Sequence, residues 1–283
     1  MSEAVRVEGL TKDYGRLRAL SGISFSIREG ELFALLGPNG AGKTTTIRIL
    51  TGLTRATAGR VYFFGRSIFE DPLYAKRMAG LVPQATNLDL ELTVWENLFI
   101  HGLLFGMSRG RIRDRAAELL RFAGLWERRR DRVRTLSGGM RRRLLIIRAL
   151  MHEPRILFLD EPTVGLDPHI RRRLWGLIKQ IQARGTTILL TTHYIEEAEF
   201  LADRVAFLDR GRIVALDTPQ NLMATLGEVA VDVVNEEGLA THYFRTREEA
   251  EREAMRLSRS GESVTIRRVN LEDAFLHFTG RKV

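Results

Sequence analysis

The chain has 283 residues, 44% of them hydrophobic, a formal charge of +9 at pH 7 and no cysteine. That length suits one large domain, or one with a small companion. Disulfides and thiolate metal sites are excluded, and no apolar run approaches the ~18 residues that span a bilayer. The first residues lack the apolar segment of a signal peptide. The expectation is a soluble, cytoplasmic chain that borrows its membrane spans, if it needs any, from another chain. The positive charge suits nucleic acid, anionic lipid or a phosphate-rich ligand. Much of it sits in three runs, Arg128–Arg130, Arg141–Arg143 and Arg171–Arg173. These are expected to be solvated helix faces, and no nucleic-acid module surrounds them.

In chain order, Val5–Leu10 and Leu20–Ile27 read as strands separated by a polar turn around Asp13 to Arg16. Leu32–Leu36 is a short apolar strand. It runs into Gly37, Pro38, Asn39, Gly40, Ala41, Gly42, Lys43, Thr44 and Thr45, which fit the G-x-x-x-x-G-K-[ST] pattern in full. Thr45 to Leu50 continues as a helix. Strand, glycine loop and helix together make an anion cradle. The glycines let backbone N–H groups turn inward, and the helix start adds its unpaired donors. Lys43 brings a full charge to the outer phosphates, and the Thr44 hydroxyl can hold a magnesium ion.

Further on, Arg60–Phe64 and Ala79–Val82 read as strands, the second ending at Pro83-Gln84. Thr93 to Leu104 is a helix with Thr93 as N-cap and Glu96 three residues on. Ser108–Phe122 and Arg141–Met151 are helices, ended by Gly124 and Pro154. Ile156–Leu159 is a buried strand ending in Asp160-Glu161. Ile170–Ala183 is helical, Thr186–Leu190 a strand ending near His193, Glu196–Leu201 a helix and Val205–Leu208 a strand. Beyond Leu226, Val229–Val234, His242–Arg245 and Ser263–Val269 are strands. Thr246–Arg259 is a charged helix ending near Gly261, and Leu271–Phe278 is a last helix. Strands alternating with helices imply a largely parallel sheet.

In such sheets ligands sit beyond the carboxyl ends of the strands. Four strands end there in polar chemistry, and one nucleotide could meet them all. Asp160 reaches magnesium directly or through water, and Glu161 can activate an attacking water. Gln84 is a neutral ligand for the magnesium or its waters. His193 can hydrogen-bond the terminal phosphate, and Tyr14 can stack on adenine. A second anion grip lies at Leu136-Ser137-Gly138-Gly139, where Ser137 can cap a helix. One phosphate loop suffices for ATP, so the second grip is economically explained as serving a nucleotide held by another copy.

Tyr14, Gly37–Thr45, Gln84, Leu136–Gly139, Asp160-Glu161, Gly165-Leu166-Asp167 and His193 resemble, in order and spacing, the motifs of ABC transporter ATPase subunits. The resemblance covers about residues 3 to 222. It implies a P-loop NTPase of the α/β class, with a largely parallel central sheet, an antiparallel β subdomain and a helical subdomain. Residues 1–224 would form the nucleotide-binding domain and 225–283 a small C-terminal α+β domain, either a dimer brace or a regulator's site. The resemblance further implies a homodimer with two ATP molecules and Mg2+ at its interface. Each ATP would be held by one copy's Gly37–Thr45 and the other's Ser137, Gly138 and Gly139, with Asp167 coupling the sites. Gln84 and the segment Leu88 to Met107 would touch a separate integral-membrane permease subunit, on the inner face of the membrane. Met140, where glutamine is usual, Leu90 through Thr93 to Asn97, and Val269 to Phe275 resemble the ATPases of daunorubicin and nodulation-factor exporters. That branch implies export of a drug, lipid or polysaccharide. The alternative is a soluble ABC-type ATPase acting on ribosomes or nucleic acid. Such proteins commonly fuse two halves or carry long coiled coils, which this chain lacks, so no nucleic-acid partner is expected.

Overall fold

The computed structural model describes residues 2–235, 238–259 and 262–280. Strands β1 (Glu3–Tyr14) and β2 (Leu17–Arg28) pair antiparallel. They run further than the expected Val5–Leu10 and Leu20–Ile27, because the turn is only two residues, with Gly15 left-handed at φ 58°. The buried strand β3 (Leu32–Leu36) feeds the glycine loop and helix α1 (Lys43–Leu50). Strands β4 (Ala58–Phe63) and β5 (Arg66–Ser67) complete a four-stranded antiparallel sheet in the order β2-β1-β4-β5.

Helix α2 (Pro72–Met78) was not expected. Asp71 starts it by accepting from the Tyr74 N–H at 3.0 Å, and Pro72 sits at the first helical position, where its missing N–H costs nothing. After β6 (Ala79–Val82), helix α3 (Val94–Leu104) opens with the Thr93–Glu96 capping box. Helix α4 (Arg109–Phe122) is capped by Ser108. Helix α5 (Gly138–Ala149) begins three residues before the expected Arg141, because the Ser137 hydroxyl accepts from the Met140 N–H at 3.3 Å. Strand β7 (Ile156–Asp160), α6 (Pro168–Ala183), β8 (Thr187–Thr192), α7 (Ile195–Leu201) and β9 (Arg204–Asp209) follow in strict alternation. Strand β10 (Arg212–Asp217) and helix α8 (Pro219–Ala224) were not expected. Next come β11 (Val229–Asn235), β12 (Gly238–Phe244), α9 (Arg247–Arg259), β13 (Ser263–Arg268) and α10 (Leu271–Thr279). The expected stop of α9 at Gly261 lies outside the described residues.

The central sheet has the order β10-β9-β3-β8-β7-β6. All pairs are parallel except β10 with β9. Alternate residues of one strand serve two cores. Ile156 and Phe158 of β7 face α1 and the antiparallel sheet, whereas Leu157 and Leu159 face α3 to α6. In register, Leu36 lies beside Thr192, Asp160 beside Thr191 and Val82 beside Leu159. The sequence-singled groups at four strand ends therefore emerge on one edge.

The three-stranded sheet β12-β11-β13 packs its own small core against α9. Helix α10 packs elsewhere. Leu271, Ala274 and Phe275 share a cluster with Phe207 of β9, Ala198 of α7 and Leu222 of α8. Among the described residues no helix is long and apolar enough to cross a membrane.

Candidate functional site

The loop after β3 is shaped by its glycines. A Cβ on Gly37 would lie 2.2 Å from the Leu208 carbonyl oxygen, and one on Gly42 2.7 Å from the Leu20 side chain. Gly40 and Gly42 also have φ of 81° and 112°, which other residues rarely adopt. Only a chain without side chains at these points can curl this tightly against β9 and β2. Lys43 opens α1, 4% exposed, and its ammonium donates to the Gly37 carbonyl at 2.7 Å and the Pro38 carbonyl at 3.0 Å. The Lys43 charge is thus aimed back across the mouth of the loop rather than into solvent.

Asp160 and Glu161 leave β7 at this mouth. Both Thr44 and Thr191 donate their hydroxyls to Asp160 Oδ1, at 3.2 and 2.6 Å. Burial pushes the Asp160 carboxyl upward, with the Glu161 charge adding to it; the two threonine bonds and Lys43 pull it back. Glu161 is a non-glycine residue in the left-handed region, at φ 47°. Its N–H donates to the Thr191 backbone and hydroxyl oxygens at 3.0 and 3.2 Å, which holds it there. Its carboxylate is 5% exposed and meets three other strand ends. Oε1 pairs with Lys43 at 3.1 Å, Gln84 donates to Oε2 at 3.3 Å, and His193 Nδ1 lies 3.2 Å from Oε2. Lys43, Thr44, Gln84, Asp160, Glu161 and His193 therefore form one connected cluster.

The remaining sequence-singled residues stand outside it. Ser137 and Gly138 are exposed in the first turn of α5. Gly139 is buried against α6, where a Cβ would lie 2.5 Å from Ile170. Asp167 is exposed at the start of α6 and uses no side-chain hydrogen bond to cap it. Tyr14 is 44% exposed, with the Lys12 ammonium 4.7 Å from its ring centroid. No hydrogen bond or ion pair among the described residues joins any of these to the cluster.

Sequence reading missed Arg142. The run Arg141–Arg143 was expected to be a solvated face, but Arg142 is 7% exposed. Its guanidinium donates to the carbonyls of Pro83, Gln84, Asp160, Glu161 and Pro162, at 2.5 to 3.2 Å. It ties the Ser137 helix to the segments bearing Gln84 and Glu161. Burial brings it down only to about 10, so it keeps its charge at neutral pH. A second departure from the solvated expectation is Arg171, which stacks on the Tyr194 ring at 4.1 Å. Glu197 was also missed. Wholly buried, it accepts from Thr163 at 2.8 Å and from the Trp175 ring N–H at 2.9 Å, and burial raises its carboxyl. An acid so near the helix start carries no sequence signal of being a core acceptor.

The donors present suit a hard cation and a polyphosphate. Thr44, Asp160 and the amide carbonyl of Gln84 offer oxygen ligands, of the kind magnesium takes alongside phosphate and water. The glycine cradle and Lys43 offer N–H and positive charge, as phosphates require.

The ABC transporter family profile matches residues 20–164. This chain belongs to the ABC transporter ATPase family. A Nod factor export ATP-binding protein I of Ralstonia nicotianae is 42% identical, over 98% of this chain and 94% of that protein. A linearmycin resistance ATP-binding protein of Bacillus subtilis is 43% identical, over 82% of this chain and 76% of that protein. Among solved structures, cbiO1 from Clostridium perfringens, part of the ABC transporter complex cbiONQ, superposes with a TM-score of 0.74 at 27% identity, over 92% of this chain and 98% of that one. An ATP-binding cassette solved as a dimer with ADP and Pi gives 0.68 at 31% identity, over 76% and 98%. This ABC ATPase is an ATP-binding and ATP-hydrolysing transporter subunit of the exporter-type branch. The ribosome or nucleic-acid alternative is not favoured by these relatives.

Proposed function

We propose that two copies of this chain close head to tail on two ATP molecules, and that closure and reopening drive a separate membrane permease to export its cargo. The observation that carries this reading is a division of groups. A hydrolytic cluster is complete on one edge, while an exposed helix start at Ser137 and Gly138 makes no hydrogen bond with it. Residues 37–45 hold the phosphates of one ATP, and Ser137, Gly138 and Gly139 hold those of the partner copy's ATP. Tyr14 stacks on the adenine. Asp167, exposed beside the Glu161 turn, couples the two sites. The relatives named for Nod factor export support the direction of transport. A permease partner places the ATPase on the inner face of the membrane.

Thr44, Asp160 and Gln84 would hold Mg2+, which supplies charge neutralisation to the outer phosphates. The buried Lys43–Glu161 pair suggests how the site is armed. Nucleotide phosphates compete with the Glu161 carboxylate for the Lys43 ammonium. A phosphate that wins Lys43 leaves Glu161 free to take a proton from the attacking water. His193, already against Glu161, steadies that water and the terminal phosphate.

The permease-facing surface is the groove between the ends of α1, α2, α3 and α5, which borders the segment following Gln84. Residues 225–283 form the C-terminal domain, bracing the assembly through α10.

The test uses Glu161→Gln and Lys43→Ala with ATP and Mg2+. Glu161→Gln should lower turnover by about 10²–10⁴-fold and accumulate a dimer in light scattering. Lys43→Ala should lose turnover and form no such dimer. A Glu161→Gln protein that stays monomeric at saturating ATP would refute closure.

A further inference from the structure

Between Glu161 and α6 the chain turns sharply through residues 162–167. The turn carries the Glu161 carboxylate at one end and Asp167 at the other, so its placement matters to the site. Its polar anchors are few. Inside it, the Val164 N–H donates to the Glu161 carbonyl at 3.4 Å and the Leu166 N–H to the Thr163 carbonyl at 3.2 Å, both at the long end of the range. Val164, Gly165 and Asp167 are exposed, whereas Thr163 is wholly buried. Among the described residues, one side-chain hydrogen bond ties residues 163–167 to the rest of the protein. The Thr163 hydroxyl donates to Glu197 Oε1 at 2.8 Å.

Glu197 lies in the first turn of α7, four residues after His193 and fully buried. The same Oε1 accepts from the Trp175 ring N–H of α6 at 2.9 Å. One oxygen therefore joins the turn, α6 and the helix behind His193. The other oxygen, Oε2, is buried without a partner. Burial raises the carboxyl, and its hydrogen bonds and the charge of Arg171 offset part of that. A carboxyl group with an unmet oxygen is a costly way to fill a core, since an apolar side chain would pack there without it. What the carboxyl adds is a single acceptor shared by two segments that each lead away from the catalytic cluster.

We infer that Glu197 is a positioning residue for hydrolysis. It fixes the turn that follows Glu161 against the helix that follows His193, so that carboxylate and imidazole meet the same water. This rests on the reading above of Glu161 as base and His193 as its partner, and adds the group that sets their register. Glu161 and His193 lie 3.2 Å apart but come from the ends of different strands, β7 and β8. Beyond those ends, among the described residues, the Thr163–Glu197 bond is the one hydrogen bond between residues 161–167 and α7. A shift of about 1 Å at a reacting group can cost about 10²-fold in rate, so a loose turn is expensive. The two donors to Oε1 are also unequal in consequence. Their bonds differ by only 0.1 Å in length, yet Thr163 carries the turn and Trp175 does not. A core acceptor with no further role would serve both donors alike.

The test measures melting temperature, kcat and KM for ATP with Mg2+ on the full chain. Thr163→Val and Trp175→Phe each remove one donor to the same buried oxygen, and both should lower the melting temperature. Only Thr163→Val should also lower kcat, by about tenfold or more, with KM for ATP changed by less than about twofold. Thr163→Ala takes its place if the valine variant does not fold. Thr163→Ser keeps the hydroxyl and Glu197→Gln keeps the acceptor, so both should retain most of the wild-type kcat. Glu197→Met should lower kcat as Thr163→Val does, and the two together should be no slower than either alone, because they cut the same tie. A normal kcat in Thr163→Val would overturn the inference. So would a loss in Trp175→Phe as large as that in Thr163→Val, which would leave Glu197 a core acceptor only. Glu161→Gln keeps the two readings apart. Full turnover in that variant would remove Glu161 as base, whereas lost turnover there beside a normal Thr163→Val would remove Glu197 alone.

Discussion

Arg142 shows how one side chain can organise a catalytic edge without touching its ligand. Five carbonyls converge on it, and truncation would leave several of them buried without a donor, each costing about 1–3 kcal/mol. Arg142→Met is therefore expected to destabilise the protein by about 3 kcal/mol or more, read from urea denaturation. Arg142→Lys, with one compact ammonium in place of a planar fork, should recover only part of the loss. The arginine was invisible as a core residue because three arginines in a row look like a wet surface. What turns the middle one inward is the start of α5 at Gly138, which sets the phase of the helix. The phosphate loop, Asp160, Glu161 and His193 were legible for the opposite reason. Each sits at the end of an apolar strand, where sequence shows both the strand and the point where it stops. Their mutual contacts were not legible, since the 3.1 Å Lys43–Glu161 pair depends on strand order, which a linear pattern does not encode.

Among elements, the junction of β13 and α10 rests on a latch. Arg267 donates to Asp232 at 2.6 Å and to both carboxylate oxygens of Asp273, at 2.7 and 2.9 Å. Asp273 also closes the capping box of α10 with Asn270, and it accepts from the Tyr243 hydroxyl at 3.2 Å. Burial opposes the charge on Asp273, but the Arg267 and Asn270 bonds outweigh it and leave its carboxyl below the ordinary value. A depressed acid contributes stability above its unfolded value, near 4, and loses it as pH falls through the folded value. Thermal stability should thus drop as pH is lowered below about 4, and Asp273→Asn should flatten that slope. Arg267→Met is expected to cost about 2–3 kcal/mol at neutral pH. The glycine in the first turn of α5 is a tighter constraint. Gly139→Ala must push Ile170 aside, so it should lower the melting temperature, with Ile170→Ala on top restoring part of it.

The elements that escaped the sequence share a weak local signal. Helix α2 buries only Ala75, so it has no apolar stripe to announce it. Strand β10 follows β9 through Arg210 and Gly211, at φ 46° and 74°. That is a two-residue hairpin turn without the usual asparagine or aspartate at its first position. Helix α3, announced by the Thr93–Glu96 capping box, and helix α4 were placed within a residue of their observed starts, whereas α5 was placed three residues late despite its Ser137 cap.

At the scale of the whole molecule, the last helix decides how separable the C-terminal part is. Leu271 and Ala274 are fully buried, Phe275 is 8% exposed, and its ring meets Phe207 edge-on at 5.3 Å. A chain cut after residue 226 should therefore expose the flank of the central sheet and aggregate. Replacing 229–268 by a flexible linker, which keeps α10, should preserve solubility and ATP turnover. Phe275→Ala alone is expected to cost about 3–5 kcal/mol.

The seating of α10 has a practical corollary. Its first N–H donates to Glu199 of α7 at 3.3 Å, and α7 begins two residues after His193. Any tilt of α7 as the nucleotide comes and goes is handed to the tail. A fluorescent dye attached near residue 277, paired with a quencher on the small sheet, would then act as an optical gauge of each turnover without labelling the catalytic face.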